Sequence, residues 1–207
     1  MTPIFITGIG TDVGKTVVSA IITEALHADY WKPVQAGKPT DSDWMRSVIS
    51  NNKTVIHKEA YDLDLPASPH ISSKNEGIVI SLQYIKDNLP DTNNLLIIEG
   101  AGGLFVPLND DEFIIDLIKM LNAKVIVVSS NYLGSINHSL LTASVLNQNK
   151  IEVLGWIFND EYMDYENDIT KWSNLPSIAS IKKLKVINKE VIKNQADIIE
   201  PLLKKLL

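Results

Sequence analysis

The sequence predicts an α/β domain in which a mostly parallel sheet carries helices on both faces. Apolar runs of strand length alternate with segments of helical periodicity along nearly the whole chain, an order that is typical of parallel sheets. A length of 207 residues is enough for one such domain with a buried core and short for two. We therefore predict a single domain over residues 1–207, organised around a glycine-rich stretch at residues 8–16.

The composition narrows the classes of partner and the compartment. Hydrophobic residues make up 45% of the chain and charged residues 21%, which are ordinary values for a folded domain. The net charge is −6 and the lysines and arginines form no dense cluster, which argues against a nucleic-acid partner. The chain lacks cysteine, a signal-peptide pattern and any apolar run near ~20 residues, so we expect a cytoplasmic protein with no membrane partner.

The glycine-rich stretch reads GIGTDVGKT and joins a predicted buried strand at residues 4–7 to a predicted helix at residues 17–26. A strand, a glycine-rich turn and Gly-Lys-Thr at a helix start are the context of a phosphate-binding P-loop, whose backbone N–H groups hold the anion. Lys15 is then expected between the β- and γ-phosphates, and the Thr16 hydroxyl on Mg²⁺. The first glycine of the usual pattern would fall at Ile9, so an ordinary glycine-rich turn is the alternative.

The remaining elements continue the alternation. Residues 30–34 are predicted as a short strand, residues 35–43 as a loop, and residues 51–77 as a long irregular segment. The other predicted strands are residues 95–99, 124–128, 153–158 and 177–181, and the other predicted helices are residues 43–50, 81–89, 113–121, 135–147, 162–172 and 189–206. Pro201 interrupts the last helix, whose apolar stripe is expected to pack on the sheet rather than lie on a membrane surface.

Candidate functional groups follow the strands, because ligands of such sheets bind beyond the carboxyl ends of the strands. Glu99 ends an apolar strand and is a candidate ligand of Mg²⁺, with a solvent-facing turn residue as the alternative. Lys32 lies towards the carboxyl end of the strand predicted at residues 30–34 and can meet charge that develops on a transferring phosphoryl group, although a lone lysine is usually a surface group. Asp43 is a second candidate oxygen ligand, and the sequence does not separate it from Asp41.

Asn159 and Asp160 follow a later strand. An asparagine amide can pair with a base edge as donor and acceptor, and a turn-starting role is the alternative.

With these residues placed, the chain resembles the dethiobiotin synthase family along nearly its whole length. The resemblance is carried by the stretch at residues 8–16, Lys-Pro-Val at 32–34, Ala-Ser-Pro-His at 67–70, Glu-Gly-Ala-Gly-Gly at 99–103, Leu-Gly-x-Ile-Asn-His at 133–138 and Asn-Asp at 159–160. It implies an ATP- and Mg²⁺-dependent cyclo-ligase of biotin synthesis that works as a homodimer. The implied substrates are 7,8-diaminononanoate and CO₂ or bicarbonate.

The resemblance also implies roles for matching residues. Lys15 and Lys32 would stabilise phosphoryl and carbamate charge, Thr16, Asp43 and Glu99 would hold Mg²⁺, and Asn159 would read adenine. The other implied nucleotide-site residues are Thr11, Asp12, Val13, Gly14, Val17, Gly100, Ala101, Gly102 and Asp160. The helix start at residues 133–138 is where the substrate carboxylate is expected.

Two positions depart from the family pattern. Ala36 stands where the family often has Ser or Thr contacting substrate, and residues 179–182 replace a Gly-x-Ile-Pro of the nucleotide pocket. A partner-regulated ATPase of the cell-division kind is an alternative, but its signature lysine would fall at Gly10. A small-molecule kinase gives no reason for Lys32 or for residues 99–103.

Overall fold

The structure, a computed structural model, describes residues 1–159 and 163–206 and places a six-stranded parallel sheet between two layers of helices. The strands are β1 (Ile4–Gly8), β2 (Asp29–Trp31), β3 (Val34–Ala36), β4 (Tyr61–Leu63), β5 (Leu96–Glu99), β6 (Lys124–Ser130), β7 (Val153–Asn159) and β8 (Ser177–Ile181). The helices are α1 (Lys15–Leu26), α2 (Asp41–Val48), α3 (Pro69–Asn75), α4 (Leu82–Asp87), α5 (Ile114–Met120), α6 (Ser135–Gln148), α7 (Glu166–Ser173) and α8 (Lys189–Leu203). The sheet order is β2-β5-β1-β6-β7-β8, which confirms the predicted fold class.

The central strand β1 is buried on both faces. Ile4 and Ile6 pack into the layer formed with α1, α2 and α8, whereas Phe5 packs into the layer formed with α4 to α7. This division follows from the alternation of side chains along a strand. A strand covered on both faces needs a continuous apolar run, and the sequence of β1 supplies one. The loop that follows β1 is therefore attached to a strand in the middle of the core.

The register of the sheet brings two predicted site residues together. Trp31 of β2 lies beside Ile98 of β5, so the next residues along each strand, Lys32 and Glu99, are neighbours at the carboxyl edge. Ile6 of β1 lies beside Glu99, which places the loop after β1 at the same edge. The prediction that residues distant in sequence share one edge is confirmed for these three parts of the chain.

Several local predictions were wrong. The strand predicted at residues 30–34 ends at Trp31, and β3 starts separately at Val34, within what was predicted to be strand and loop. The segment at residues 51–77 was predicted to be irregular but contains β4 and α3, and β4 pairs in parallel with β3. Strands of three residues are too short for a periodic signal. Pro69 is the first residue of α3, a position where proline favours helix initiation.

The last helix, α8, runs through Pro201 rather than being interrupted by it. It packs mainly on α1, with a smaller contact to β8, so the expected packing on the sheet is largely indirect. Its buried residues are Ile192, Ala196, Ile199 and Leu203, whereas the apolar side chain of Leu202 is 40% exposed. None of the helices in the described ranges combines the length and apolar character that a bilayer-crossing segment needs.

Candidate active site

The loop after β1 ends on a glycine that its geometry requires. Gly14 has φ of +91° and is the last residue before α1, and a Cβ placed there would lie 2.1 Å from Asn159 Nδ2. Only glycine adopts that backbone conformation so close to a neighbour without strain. No described side chain caps the start of α1, and its first turn carries no acidic residue. The first amide groups of α1 are therefore available to an anion.

Lys15 lies folded back over this loop. Its Nζ donates a hydrogen bond to the carbonyl oxygen of Gly10 at 2.8 Å, and the residue is 7% exposed. Burial lowers the pKa of the Lys15 ammonium to about 8, against the opposing effect of Glu99. The lowered pKa means that the negative charge around Lys15 does not fully offset the cost of burying its ammonium group. A polyanionic ligand would supply the missing negative charge.

Glu99 is the centre of a group of side chains that we call the Glu99 cluster. It consists of the buried residues Glu99, Tyr30 and Lys32 and the partly buried residues Thr16 and Asp41. Thr16 Oγ1 donates to Glu99 Oε1 at 2.8 Å, and Lys32 Nζ donates to the same oxygen at 3.1 Å. Tyr30 donates its phenolic hydroxyl to Glu99 Oε2 at 2.9 Å. Lys32 also forms an ion pair with Asp41. One ammonium is thus shared between two carboxylates.

The charges of this cluster depend on one another. Burial raises the pKa of Glu99, but the Lys32 ammonium and the hydrogen bonds from Thr16, Lys32 and Tyr30 outweigh burial, so the pKa is lowered. Burial lowers the pKa of Lys32, and the carboxylates of Glu99 and Asp41 outweigh it, so that pKa is raised. The pKa of Asp41 is raised by burial, with a further contribution from Glu99. Because two carboxylates share the single Lys32 ammonium, a further positive charge would stabilise the cluster.

The donor set of the cluster fits a hard cation. A threonine hydroxyl and two carboxylates are oxygen ligands of the kind that Mg²⁺ takes, and Mg²⁺ normally adds waters and substrate phosphates to one or two protein carboxylates. Within the described residues, no three His, Cys, Asp or Glu side chains gather as a metal centre of their own.

The loop lines a cavity of about 880 Å³ together with Thr16, Lys32, Asp41 and Glu99, the members of the Glu99 cluster other than Tyr30. Predicted site residues on its wall are Thr11, Asp12, Gly14, Lys15, Thr16, Val17, Lys32, Glu99, Gly100, Ala101 and Gly102, together with Ala36. Val13 is not on the wall and is buried in the core beneath the loop. Asn159 Nδ2 donates to the carbonyl oxygen of Val13 at 3.1 Å, so this amide holds the backbone of the loop in place. The predicted site residue Asp160 lies outside the described residues.

The structure separates Asp41 from Asp43. Asp41 lies on the cavity wall, whereas the Asp43 side chain is 65% exposed and pairs with Arg46 at 2.8 Å. Both belong to the first turn of α2, and residues two apart on a helix point in different directions. The structure therefore brings Asp41, and not Asp43, to Thr16 and Glu99.

Two residues that the sequence reasoning missed support this arrangement. Tyr30 precedes Lys32 by two positions, so strand alternation could have placed both on one side. Gln35 is buried, accepts a hydrogen bond from the Asp41 backbone N–H at 3.1 Å and donates to the carbonyl oxygen of Gly37 at 3.0 Å. These bonds hold the segment that presents Asp41, and no local pattern in the sequence indicates them.

A parallel α/β sheet with a glycine-rich loop after its central strand, a lysine over that loop and a threonine beside an acidic strand end defines the P-loop NTPase class. A sequence-family model described as an AAA domain matches residues 2–191. An ATP-dependent dethiobiotin synthetase BioD of Cytophaga hutchinsonii is 50% identical over 191 residues, which cover 91% of this chain and 92% of that protein. The synthetase of the same name from Christiangramia forsetii is 46% identical over 196 residues, covering 93% of each chain. The chain therefore belongs to this AAA-domain family and, within it, to the dethiobiotin synthetases.

Solved structures with the same fold are more distant in sequence. The cell division ATPase MinD of Pyrococcus furiosus superposes with a TM-score of 0.62 at 14% identity, covering 100% of both chains. MinD of Pyrococcus horikoshii, solved in complex with Mg-ADP, superposes with a TM-score of 0.61 at 14% identity, covering 100% of this chain and 99% of that one. At this identity the likeness shows a shared fold and carries no information on the reaction.

Proposed function

We propose that this protein is an ATP-dependent dethiobiotin synthetase that joins 7,8-diaminononanoate and CO₂ into a cyclic urea. One amine adds to CO₂ and loses a proton, which gives a carbamate. A carbamate oxygen attacks the γ-phosphorus of ATP, ADP leaves, and a carbamic-phosphoric anhydride forms. The second amine attacks the carbonyl carbon of this anhydride, inorganic phosphate leaves, and a second proton is released as the ring closes.

The observation that carries this proposal is a second buried lysine beside the P-loop. Lys15 and the first amides of α1 suit the phosphates, and Lys32 lies across the same cavity among carboxylates. Lys32 is not part of the phosphate loop, so its charge is available to a second anion in the cavity. A carbamate nucleophile is an anion approaching another anion, and Lys32 offsets their repulsion. Mg²⁺, held by Thr16, Asp41 and Glu99, would neutralise charge on the phosphates.

The substrate carboxylate is assigned to the start of α6, in the region predicted from residues 133–138. Gly134 precedes α6 with φ of +103°, no described side chain caps this helix end, and its first turn carries no acidic residue. Leu133 is 83% exposed, and this helix start is not part of the chain's own cavity wall. A second copy of the chain would bring it there, so we propose a homodimer. The expected location of this enzyme is the cytoplasm, as for other steps that use cellular ATP.

The proposal is tested by phosphate release from ATP in four mixtures: neither substrate, diamine alone, bicarbonate alone, and both. We expect slow basal release and strong stimulation only with both, together with a product of the mass of the cyclic urea. A kinase would accumulate a phosphorylated diamine without bicarbonate. Release that ignores both substrates in a folded sample would remove the synthetase assignment and leave a nucleotide site.

The lowered pKa of Lys15 predicts that nucleotide affinity depends on pH. Bound phosphates favour the ammonium, so binding takes up a proton whenever the free protein has lost it. At pH values below the pKa of about 8, Lys15 is charged in both the free and the nucleotide-bound protein, so the nucleotide affinity does not change with pH. At pH values above this pKa, the nucleotide affinity falls as the pH rises. The fall approaches about tenfold per pH unit. Calorimetry with ADP in buffers of different ionisation enthalpy measures the proton uptake.

Lys15→Arg is the control for this measurement, because a guanidinium stays charged over the same range. Its ADP affinity is expected to be level with pH even where it is weaker than that of the natural protein. An equally level profile for the natural protein would contradict the pKa argument.

The two aspartates of α2 give a matched pair of variants. Asp41→Asn removes a carboxylate from the Glu99 cluster and is expected to weaken Mg²⁺ binding to the nucleotide complex by about tenfold or more. Asp43→Asn removes only an exposed pair with Arg46 and is expected to change nothing measurable. Turnover titrated with Mg²⁺ distinguishes them, and the reverse ranking would restore Asp43 as the ligand.

Ala36 tests the substrate side of the cavity. Ala36→Ser places a hydroxyl on the wall, where one net hydrogen bond is worth about 1 kcal/mol. We expect a KM for the diamine that is unchanged or up to about fivefold lower, with kcat retained, as measured by steady-state kinetics. Strong inactivation would mean that this part of the wall does not meet substrate as proposed.

A further inference from the structure

Tyr30 is a fully buried phenol that reaches the Glu99 cluster from the adjacent strand. It lies on β2 beside Ile97 of β5, and its ring packs in the core layer shared with α1 and α2. Its hydroxyl donates to Glu99 Oε2 at 2.9 Å. Trp31, the next residue, packs in the opposite core layer, so strand alternation directs Tyr30 and Lys32 to the same side.

The three donors to Glu99 are divided between its two oxygens. Thr16 and Lys32 both donate to Oε1, and Tyr30 donates to Oε2. A cation that binds Thr16, Asp41 and Glu99 takes the place of donors on Oε1, because the same lone pairs cannot serve both. The bond from Tyr30 to Oε2 does not compete with the cation. It can persist while the rest of the cluster rearranges.

We propose that Tyr30 is the positioning residue of the metal site, fixing Glu99 by one oxygen so that the other is presented to the cation. This inference rests on the proposed role of Glu99 as a metal ligand. A ligating carboxylate that is held by a hydrogen bond on its outer oxygen keeps one orientation, and its loss typically weakens metal binding by roughly 10- to 100-fold.

Tyr30→Phe tests the proposal, since phenylalanine fills the same space without the hydroxyl. Mn²⁺ is used as the probe, and its binding to the protein–ADP complex is followed by electron paramagnetic resonance. We expect the Kd for Mn²⁺ to rise by roughly 10- to 100-fold, while the Kd for ADP in EDTA stays unchanged. In turnover, KM for Mg²⁺ rises and kcat at saturating Mg²⁺ recovers. Equal Mn²⁺ affinity for the variant and the natural protein would overturn the proposal.

Tyr61→Phe is the matched control. It also removes a tyrosine hydroxyl, one that accepts a hydrogen bond from the Ser81 backbone N–H at 3.0 Å and lies outside the Glu99 cluster. Its Mn²⁺ affinity is expected to match that of the natural protein, and a loss equal to that of Tyr30→Phe would indicate a general structural effect and overturn the proposal. Tyr30→Phe should also add no loss in a Glu99→Gln background, because Tyr30 acts through Glu99.

A second pair of variants covers the case in which Tyr30→Phe does not fold. Tyr30 is replaced by p-aminophenylalanine, which retains an N–H donor, or by p-methylphenylalanine, which fills the space without one. The amino variant should bind Mn²⁺ more tightly than the methyl variant, and equal affinities would overturn the inference. If the natural protein–ADP complex binds no Mn²⁺, the proposed metal site itself fails, which is a different result from an unaltered Tyr30 variant.

Discussion

Lys15→Ala is expected to lower kcat/KM by about a thousandfold, because it removes a charge that meets the phosphates in a buried site. The fold should not suffer. Lys15 makes one hydrogen bond to the Gly10 carbonyl, and burial lowers its pKa to about 8, so its charged form is not well stabilised in the ligand-free protein. We expect the free energy of unfolding to stay level or increase slightly, the trade-off seen where function requires an unfavourable buried charge.

Steady-state kinetics and urea unfolding on the same samples check both parts of this expectation. Lys53→Ala, a change at an exposed lysine that does not line the cavity, is the control for the loss of a positive charge. Normal turnover by a folded Lys15→Ala variant would contradict the placement of the phosphates on this loop.

The parts of the fold that the sequence predicts well are those with strong local patterns. The strand, glycine-rich turn and Gly-Lys-Thr of residues 4–16 match the context of a phosphate-binding loop, and β5 is an apolar run closed by Glu99. Because β1 and β5 are parallel neighbours, knowing where each strand ends is enough to bring Glu99 to the loop. This part of the site therefore depends on where β1 and β5 end, and the sequence marks those two strand ends clearly.

The choice between Asp41 and Asp43 depends instead on where α2 begins. The sequence prediction started this helix at residue 43, two residues late, which left Asp41 in a loop. Thr40 Oγ1 accepts a hydrogen bond from the Asp43 backbone N–H at 3.0 Å, so Thr40 is the N-cap. Thr followed three residues later by an acidic residue is a recognised helix-start pattern, and weighting it would have favoured Asp41.

For hydrogen bonds between distant side chains and the backbone, the sequence contains no comparable local pattern. The bonds of Gln35 to its own loop, and of Asn159 to the Val13 carbonyl, appear only when the chain is folded. The alternative function of a partner-regulated ATPase is likewise not decided by fold, since MinD shares it. Gly10 occupies the position of the signature lysine of such ATPases, and the curated synthetases are far closer in sequence.

Lys32→Gln should lower kcat by about 100- to 1,000-fold, because the buried charge that meets the carbamate and the phosphoryl group is lost. We expect Lys32→Gln not to weaken metal binding, in contrast to Tyr30→Phe. Lys32 pairs with both Asp41 and Glu99, so it competes with any cation for the same oxygens. Without it, Mn²⁺ binding to the ADP complex is expected to be at least as tight as in the natural protein, even though turnover falls.

Lys32→Gln should also lower the free energy of unfolding, whereas the matched substitution at the exposed residue Lys38 should not. Removing one partner from a buried ion pair costs about 3–5 kcal/mol, so we expect a lower urea midpoint that Mg²⁺ and ADP partly restore by neutralising the carboxylates. Lys38→Gln breaks the exposed pair with Asp62 and should leave turnover, metal affinity and the urea midpoint unchanged. If Lys32→Gln weakened Mn²⁺ binding as Tyr30→Phe does, Lys32 would be supporting the metal site rather than competing with the cation, and its assignment to the carbamate would be wrong.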